Sequence, residues 1–300
     1  MSAVDDLIKR LESIDRAVSK LADPTLEAEL ACHIQRGVAV HGLVCIEAFL
    51  RERMHEWVSM LAAARISPAQ LPGGRTRYET RMLEVLVRKL RDADNSKAEI
   101  RSALIDDTSR SLNSLRSSTF VPHYLGFMWM GSNVQVSDIE SIVAVVSAIA
   151  PDKVWARLTG IWQSVDKFVP HTTSLRFVFN QIADMRHSAA HDADFAVPVP
   201  NLQTLTRNVK LVCLCIDIAV TFSLHDLSHA SLPYKTPGSR RLIPAKSCWR
   251  ECEPGKKNAF KRHTDLEAAI REACVRAASS RQVLLVMDSS ENVLDWRIPL

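Results

Sequence analysis

Over most of the first 228 residues, apolar side chains recur every three or four positions. That is the period of helices that bury one face. Leu7, Leu11, Ile14, Val18 and Leu21 predict a first amphipathic helix, stopped at Asp23-Pro24 because proline lacks the amide a helix interior needs. Ile34, Val38, His41, Cys45, Phe49 and Met54 carry a second, from about Leu26 to Ala64. Ser67-Pro68 and Pro72-Gly73-Gly74 then break the chain, and a charged helix follows from about Tyr78 to Ala93. Residues 94–135 are rich in Ser and Thr and show no clear period, apart from an apolar patch between Tyr124 and Gly131. Ser137, with Glu140 three residues on, reads as a capping box for a helix over Ile139–Ile149. Pro151 opens the next, through about Phe168. Thr172 or Thr173 opens another, with Leu175, Val178, Phe179, Ile182 and Met185 as its core face. Leu202 to Leu224 form the last long helix. The expectation is a mainly α chain, with residues 1–228 an up-and-down helical bundle and no internal repeat or heptad.

The texture changes after Ser228. Residues 229–241 read as a linker, rich in Pro, Ser and Gly. Two short strands are expected at Leu242–Ala245 and Ser247–Glu251, with a turn at Pro254-Gly255. Thr264, with Glu267 three residues on, should cap a helix to about Ser279, before strands at Gln282–Met287 and Val293–Ile298. This order predicts a small α+β module, ββαββ, over residues 242–300.

Composition places limits on this picture. Hydrophobic residues make up 47% and charged residues 24% of the chain, enough apolar surface for a sizeable core. The seven cysteines are scattered and mostly lie in apolar runs, which suits reduced thiols better than a disulfide framework. The longest apolar stretch, Leu211 to Phe222, is interrupted by Asp217 and is too short to span a bilayer. With an acidic N-terminus and no signal-like block, the chain is expected to be cytoplasmic, with no membrane partner. Net charge is +4, yet residues 229–300 hold thirteen Lys and Arg against eight Asp and Glu. The excess positive charge therefore sits in the last quarter. Such asymmetry favours an anionic partner, nucleic acid first, or else it is a solvated basic surface.

The chemistry concentrates at Met185-Arg186-His187-Ser188-Ala189-Ala190-His191-Asp192. A bare bundle would place Ala or Leu there. Histidine can move protons near neutral pH, and arginine can hold a phosphate with a planar fork of donors and stabilise charge developing on it. Arg186 and His191 lie five residues apart, about 140° around an ideal helix, so one chain brings them together only if the helix ends or loosens there. His187 and His191 would share a face and invite a metal reading, but a site needs further ligands. A third reading has the three side chains merely capping a helix C-terminus.

The run Ile182-Ala183-Asp184-Met185-Arg186-His187-Ser188-Ala189-Ala190-His191-Asp192 resembles the signature of HEPN domains. In that signature an arginine, followed by a polar residue, precedes a histidine by four to six residues. An early helix with a glutamate in an apolar setting, Gly42-Leu43-Val44-Cys45-Ile46-Glu47-Ala48-Phe49-Leu50, agrees with it. So does the long later helix containing Cys215-Ile216-Asp217. The likeness covers roughly residues 26–225 and is nearest to the RiboL-PSP-like branch. It implies a metal-independent endoribonuclease without cofactor, working as a homodimer whose two motif helices form one composite cleft. By the same resemblance His191 acts as base or acid, Arg186 binds the scissile phosphate, and His187 orients Arg186 or touches the phosphate. Asp192 could fix a histidine tautomer. Glu47 either pairs with Arg186 or is only a buried ion-pair partner. The expected substrates are tRNA or mRNA, in a toxin–antitoxin or antiviral setting, with an antitoxin or other defence subunit as a further partner. The alternative is a non-catalytic dimerisation scaffold that binds RNA or nucleotide and works with a partner protein.

In the tail, Arg240, Arg241, Arg250, Lys256, Lys257, Lys261 and Arg262 surround Trp249 and Phe260. Phosphate contacts combined with stacking would bind RNA. Trp249 and Trp296 are read first as core residues of the small module, with the positive charges lining its surface. Cys248, Cys252 and His263 make an incomplete zinc set, so a reduced pair is expected.

Overall fold

A computed structural model describes the chain except Met1 and residues 72–73, 93–97, 118–119, 129–132, 148, 166–171, 193–194, 229–237, 255, 257, 281, 291–292 and 299–300. The described part is mainly helical: α1 (Ala3–Lys20), α2 (Ala28–Ala63), α3 (Gly74–Asp92), α4 (Ala98–Ser114), α5 (Val136–Ser147), α6 (Val154–Val165), α7 (Leu175–His191), α8 (Val199–Ser228) and α9 (Leu266–Ser279). Five strands, β1 (Ser239–Ala245), β2 (Cys248–Cys252), β3 (Lys261–His263), β4 (Val283–Met287) and β5 (Val293–Arg297), form one mixed sheet in the order β3-β2-β1-β4-β5. No helix among the described residues is long and apolar enough to cross a membrane.

The elements differ from expectation in instructive places. Helix α4 lies where no period was legible, and β3 adds a strand, so the module reads βββαββ. β1 begins at Ser239, because Ser239 and Arg240 pair in parallel with Val283 and Leu284 of β4. Helix α5 starts at Val136, one residue before the expected cap. The Gln135 N–H donates to the Asp138 carboxylate at 2.9 Å, so Asp138 and not Ser137 satisfies that end. Ser174 caps α7 in place of Thr172 or Thr173. Asp265 caps α9 in place of Thr264, accepting the Ala268 N–H at 2.7 Å. Much of the expected linker lies outside the described residues.

The chain divides into two compact units, 1–49 with 155–218 and 235–300, and 50–154 with 219–234. In the first, the sheet is covered on both faces. Ala269, Ala273 and Ala277 of α9 pack against Leu242, Leu284 and Val286. The small alanines let the helix lie close to the strands. On the opposite face Trp296 is buried, and its Nε1–H donates to Asp217 Oδ2 of α8 at 2.7 Å. α8 also meets α2 closely: a Cβ on Gly42 would stand 2.9 Å from a Leu205 methyl.

The second unit is built around Trp57, Tyr78 and Phe127, with ring centroids 4.7 Å apart for Trp57–Phe127 and 5.1 Å for Tyr78–Phe127. Its α4 buries Thr108, Ser111 and Ser114 in place of aliphatic residues. Their hydroxyls are satisfied internally. Ser111 Oγ donates to Val121 O at 2.6 Å and contacts the Tyr78 hydroxyl at 2.9 Å.

Candidate functional site

α7 is positioned at its start by two hydroxyls. Ser174 Oγ accepts the Phe177 N–H at 3.2 Å, and Thr159 Oγ1 of α6 accepts the Leu175 N–H at 3.0 Å. Leu175, Val178, Phe179 and Ile182 then face the core, and Phe179 meets Trp155 at a centroid distance of 5.5 Å. Past Met185 the character reverses. Between Arg186 and Asp192 only Ala189 is buried; Arg186 is half-buried, and His187, His191 and Asp192 are exposed.

The end of the helix is held by α2. Ala189 packs with Ala39 and Phe195, flanked by Val40, Met185 and Val197. Arg36 Nη2 donates to the Asp192 carbonyl at 3.0 Å. The Asp192 N–H donates to Ser188 O at 2.8 Å, so helical bonding continues to the last residue. The helix does not loosen at the motif. Arg186 and His191 therefore stay about 140° apart around one axis. The two histidines do come together, with ring centroids 4.8 Å apart. Glu47 is half-buried on α2, in the same compact unit. Sequence reasoning missed Arg36 and Ser174. Ser174 is a conventional cap residue adjacent to the expected ones, whereas nothing local marks Arg36, whose partner lies 156 residues away.

Two exposed imidazoles one turn apart offer general acid–base groups, and a guanidinium on the same stretch of helix can hold an anion. Among the described residues no three His, Cys, Asp or Glu side chains gather as a metal site would require.

The basic residues of the tail have unlike surroundings. Arg240 is buried, with Nη1 donating to Glu251 Oε1 at 2.8 Å and Nε to Gln282 Oε1 at 3.2 Å. It is thus removed from the expected RNA-contacting set, because its charge is spent inside the module. Glu251, fully buried, also receives Arg276 Nε at 2.8 Å and His263 Nε2 at 2.9 Å. Burial pushes the Glu251 carboxyl up, but hydrogen bonds from Arg276, His263 and Arg240 outweigh it and hold it at about 2. Arg241 is half-buried and donates to the Lys256 carbonyl at 2.9 Å. Exposed Lys256 pairs with Glu253 at 2.7 Å, and exposed Lys261 pairs with Glu272. Arg250 is half-buried and Arg262 exposed. Lys257 lies outside the described residues. Trp249 is half-buried against the α9 cluster, and Trp296 is a core residue. Cys252 is buried while His263 is taken up by Glu251.

Neither a scan against protein-family models nor searches of curated proteins and of solved structures gives a significant match for this chain.

Proposed function

We propose that the chain is a metal-independent endoribonuclease of the HEPN type that acts as a homodimer, cutting tRNA or mRNA as a toxin or antiviral effector held in check by a partner protein. One observation carries this reading. α7 ends by presenting Arg186, His187 and His191 at or near the surface on a helix that stays regular and is held by α2. RNA cleavage of this type uses all three, imidazoles as base and acid and a guanidinium on the phosphate. Because Arg186 and His191 point to different sides of one helix, the site is completed by the same residues of a second copy.

In the reaction His191 takes the proton of a 2′-hydroxyl, and that oxygen attacks the adjacent phosphorus. The bond to the 5′-oxygen breaks, and this oxygen receives a proton from an imidazole of the second copy. Arg186 holds the phosphate and stabilises its added charge. The products are a 2′,3′-cyclic phosphate and a 5′-hydroxyl.

Arg186→Ala and His191→Ala should each lower the rate of RNA cleavage in EDTA by at least about a hundred-fold, a typical loss for one catalytic group. Stability should change by no more than about 0.5 kcal/mol for exposed His191. Mixing the two variants should restore part of the activity if the site is composite. Cyclic 3′-ends that persist in both variants would sink this mechanism. RNA affinity with no turnover in the parent chain would favour the scaffold reading.

A further inference from the structure

At the β3 edge of the sheet two arginines face one another. Arg250 of β2 and Arg262 of β3 are direct partners in the antiparallel ladder, so both leave the same face. Like charges in that position repel. Several cations of the module are matched nearby, Arg240 and Arg276 by Glu251, Lys256 by Glu253 and Lys261 by Glu272. Arg250 differs. Its Nε is buried and has no hydrogen-bond partner among the described residues. An anion seated between Arg250 and Arg262 would relieve their repulsion by giving both guanidiniums one counter-charge.

The space beside the pair fits an anion with an aromatic group attached. A depression of about 490 Å³ is lined by Arg250, Asn258, Ala259, Phe260, Lys261 and Arg262. Phe260 is 55% exposed, and the Arg240 guanidinium sits 5.4 Å from its ring centroid. The ring is thus held on a buried cation while remaining open to solvent. We propose that this depression is a subsite for single-stranded RNA, taking a phosphodiester between Arg250 and Arg262 and stacking a base on Phe260. The choice of RNA rests on the proposed function; the subsite itself rests on the module.

The test is fluorescence anisotropy of the full chain with a dye-labelled oligothymidylate, which has no 2′-hydroxyl and cannot be cut by the proposed chemistry. Arg250→Gln and Arg262→Gln should each weaken binding about ten-fold and flatten the salt slope by about 0.7. Phe260→Ala should weaken binding, whereas Phe260→Trp should retain it, and Lys246→Gln on the β1–β2 turn should change nothing. Since the two arginines repel, their glutamine variants should melt no lower than the parent. Parent-like affinity in the arginine variants overturns the subsite, and so does a lowered melting temperature. Loss of binding with the arginines alone, Phe260→Ala being neutral, overturns base recognition. A parent chain that binds in this pattern but leaves oligouridylate uncut refutes the ribonuclease and leaves the subsite standing. Cleavage with an affinity indifferent to both arginines refutes only the subsite.

Discussion

Glu251 has no solvent contact, and its two oxygens receive Arg240, Arg276 and His263. Taking a carboxylate out of water is costly, and the surrounding donors offset that cost only while all of them are in place. Glu251→Gln leaves buried Arg240 without a counter-charge, and it should destabilise the chain by about 3–5 kcal/mol in urea denaturation. The same group sets an acid limit. Its carboxyl falls from an ordinary 4.5 to about 2 on folding, so its contribution is fully present above pH 4.5. As the pH drops from there towards about 2, that contribution is lost. Unfolding free energy measured across this window should fall steeply in the parent and less so in Glu251→Gln. Equal slopes would mean another carboxylate governs acid unfolding.

Elements whose buried positions are apolar were legible in the sequence, and those whose buried positions are polar were not. α1, α2, α7 and α8 lie within a few residues of their expected spans; burial of a one-sided stripe holds α1 and α7, whereas α8 is buried all round from Leu211 to Leu224. α4 escaped because its buried face is Thr108, Ser111 and Ser114, hydroxyls that a hydropathy pattern scores as surface. β3 escaped because it is short and charged, and only its pairing with β2 makes it a strand. The Arg186, His187 and His191 trio on α7 was visible as polar residues interrupting an apolar helix. By contrast, Arg240 could not be told from its basic neighbours, because its partner Glu251 is supplied by another strand. A close approach is equally invisible in sequence. A Cβ on Gly126 would stand 2.3 Å from the Tyr78 ring. That ring is fixed by burial and by the His123 N–H, which donates to its hydroxyl at 2.7 Å. Gly126→Ala should therefore cost about 1–3 kcal/mol by overpacking, read as a lower denaturation midpoint. An unchanged midpoint would show that the ring can move aside.

At the scale of the whole molecule, the sheet is structural as well as basic. The compact unit that carries the α7 motif includes β1 to β5, with Trp296 bonded to Asp217 and Arg297 lying 3.6 Å from Asp5 of α1. Removing residues 229–300, and the sheet with them, strips that cover from α8 and α1. In a chain ending at Ser228, the amides of α1 and α7 should lose hydrogen-exchange protection while those of α3 and α5 keep theirs. Full protection in α1 would show that the helices hold that unit alone.

The contact between α1 and β5 also has a consequence in time. It joins residues near the two ends of the chain, and such distant pairings close late because the intervening loop must first lose its freedom. A ribosome releases α1 and α7 long before it releases β5. The compact unit that carries Arg186 and His191 is therefore complete only when β5 has docked. Under the proposed activity, a growing chain would carry Arg186 and His191 through the synthesis of the whole sheet before the unit that holds them is complete.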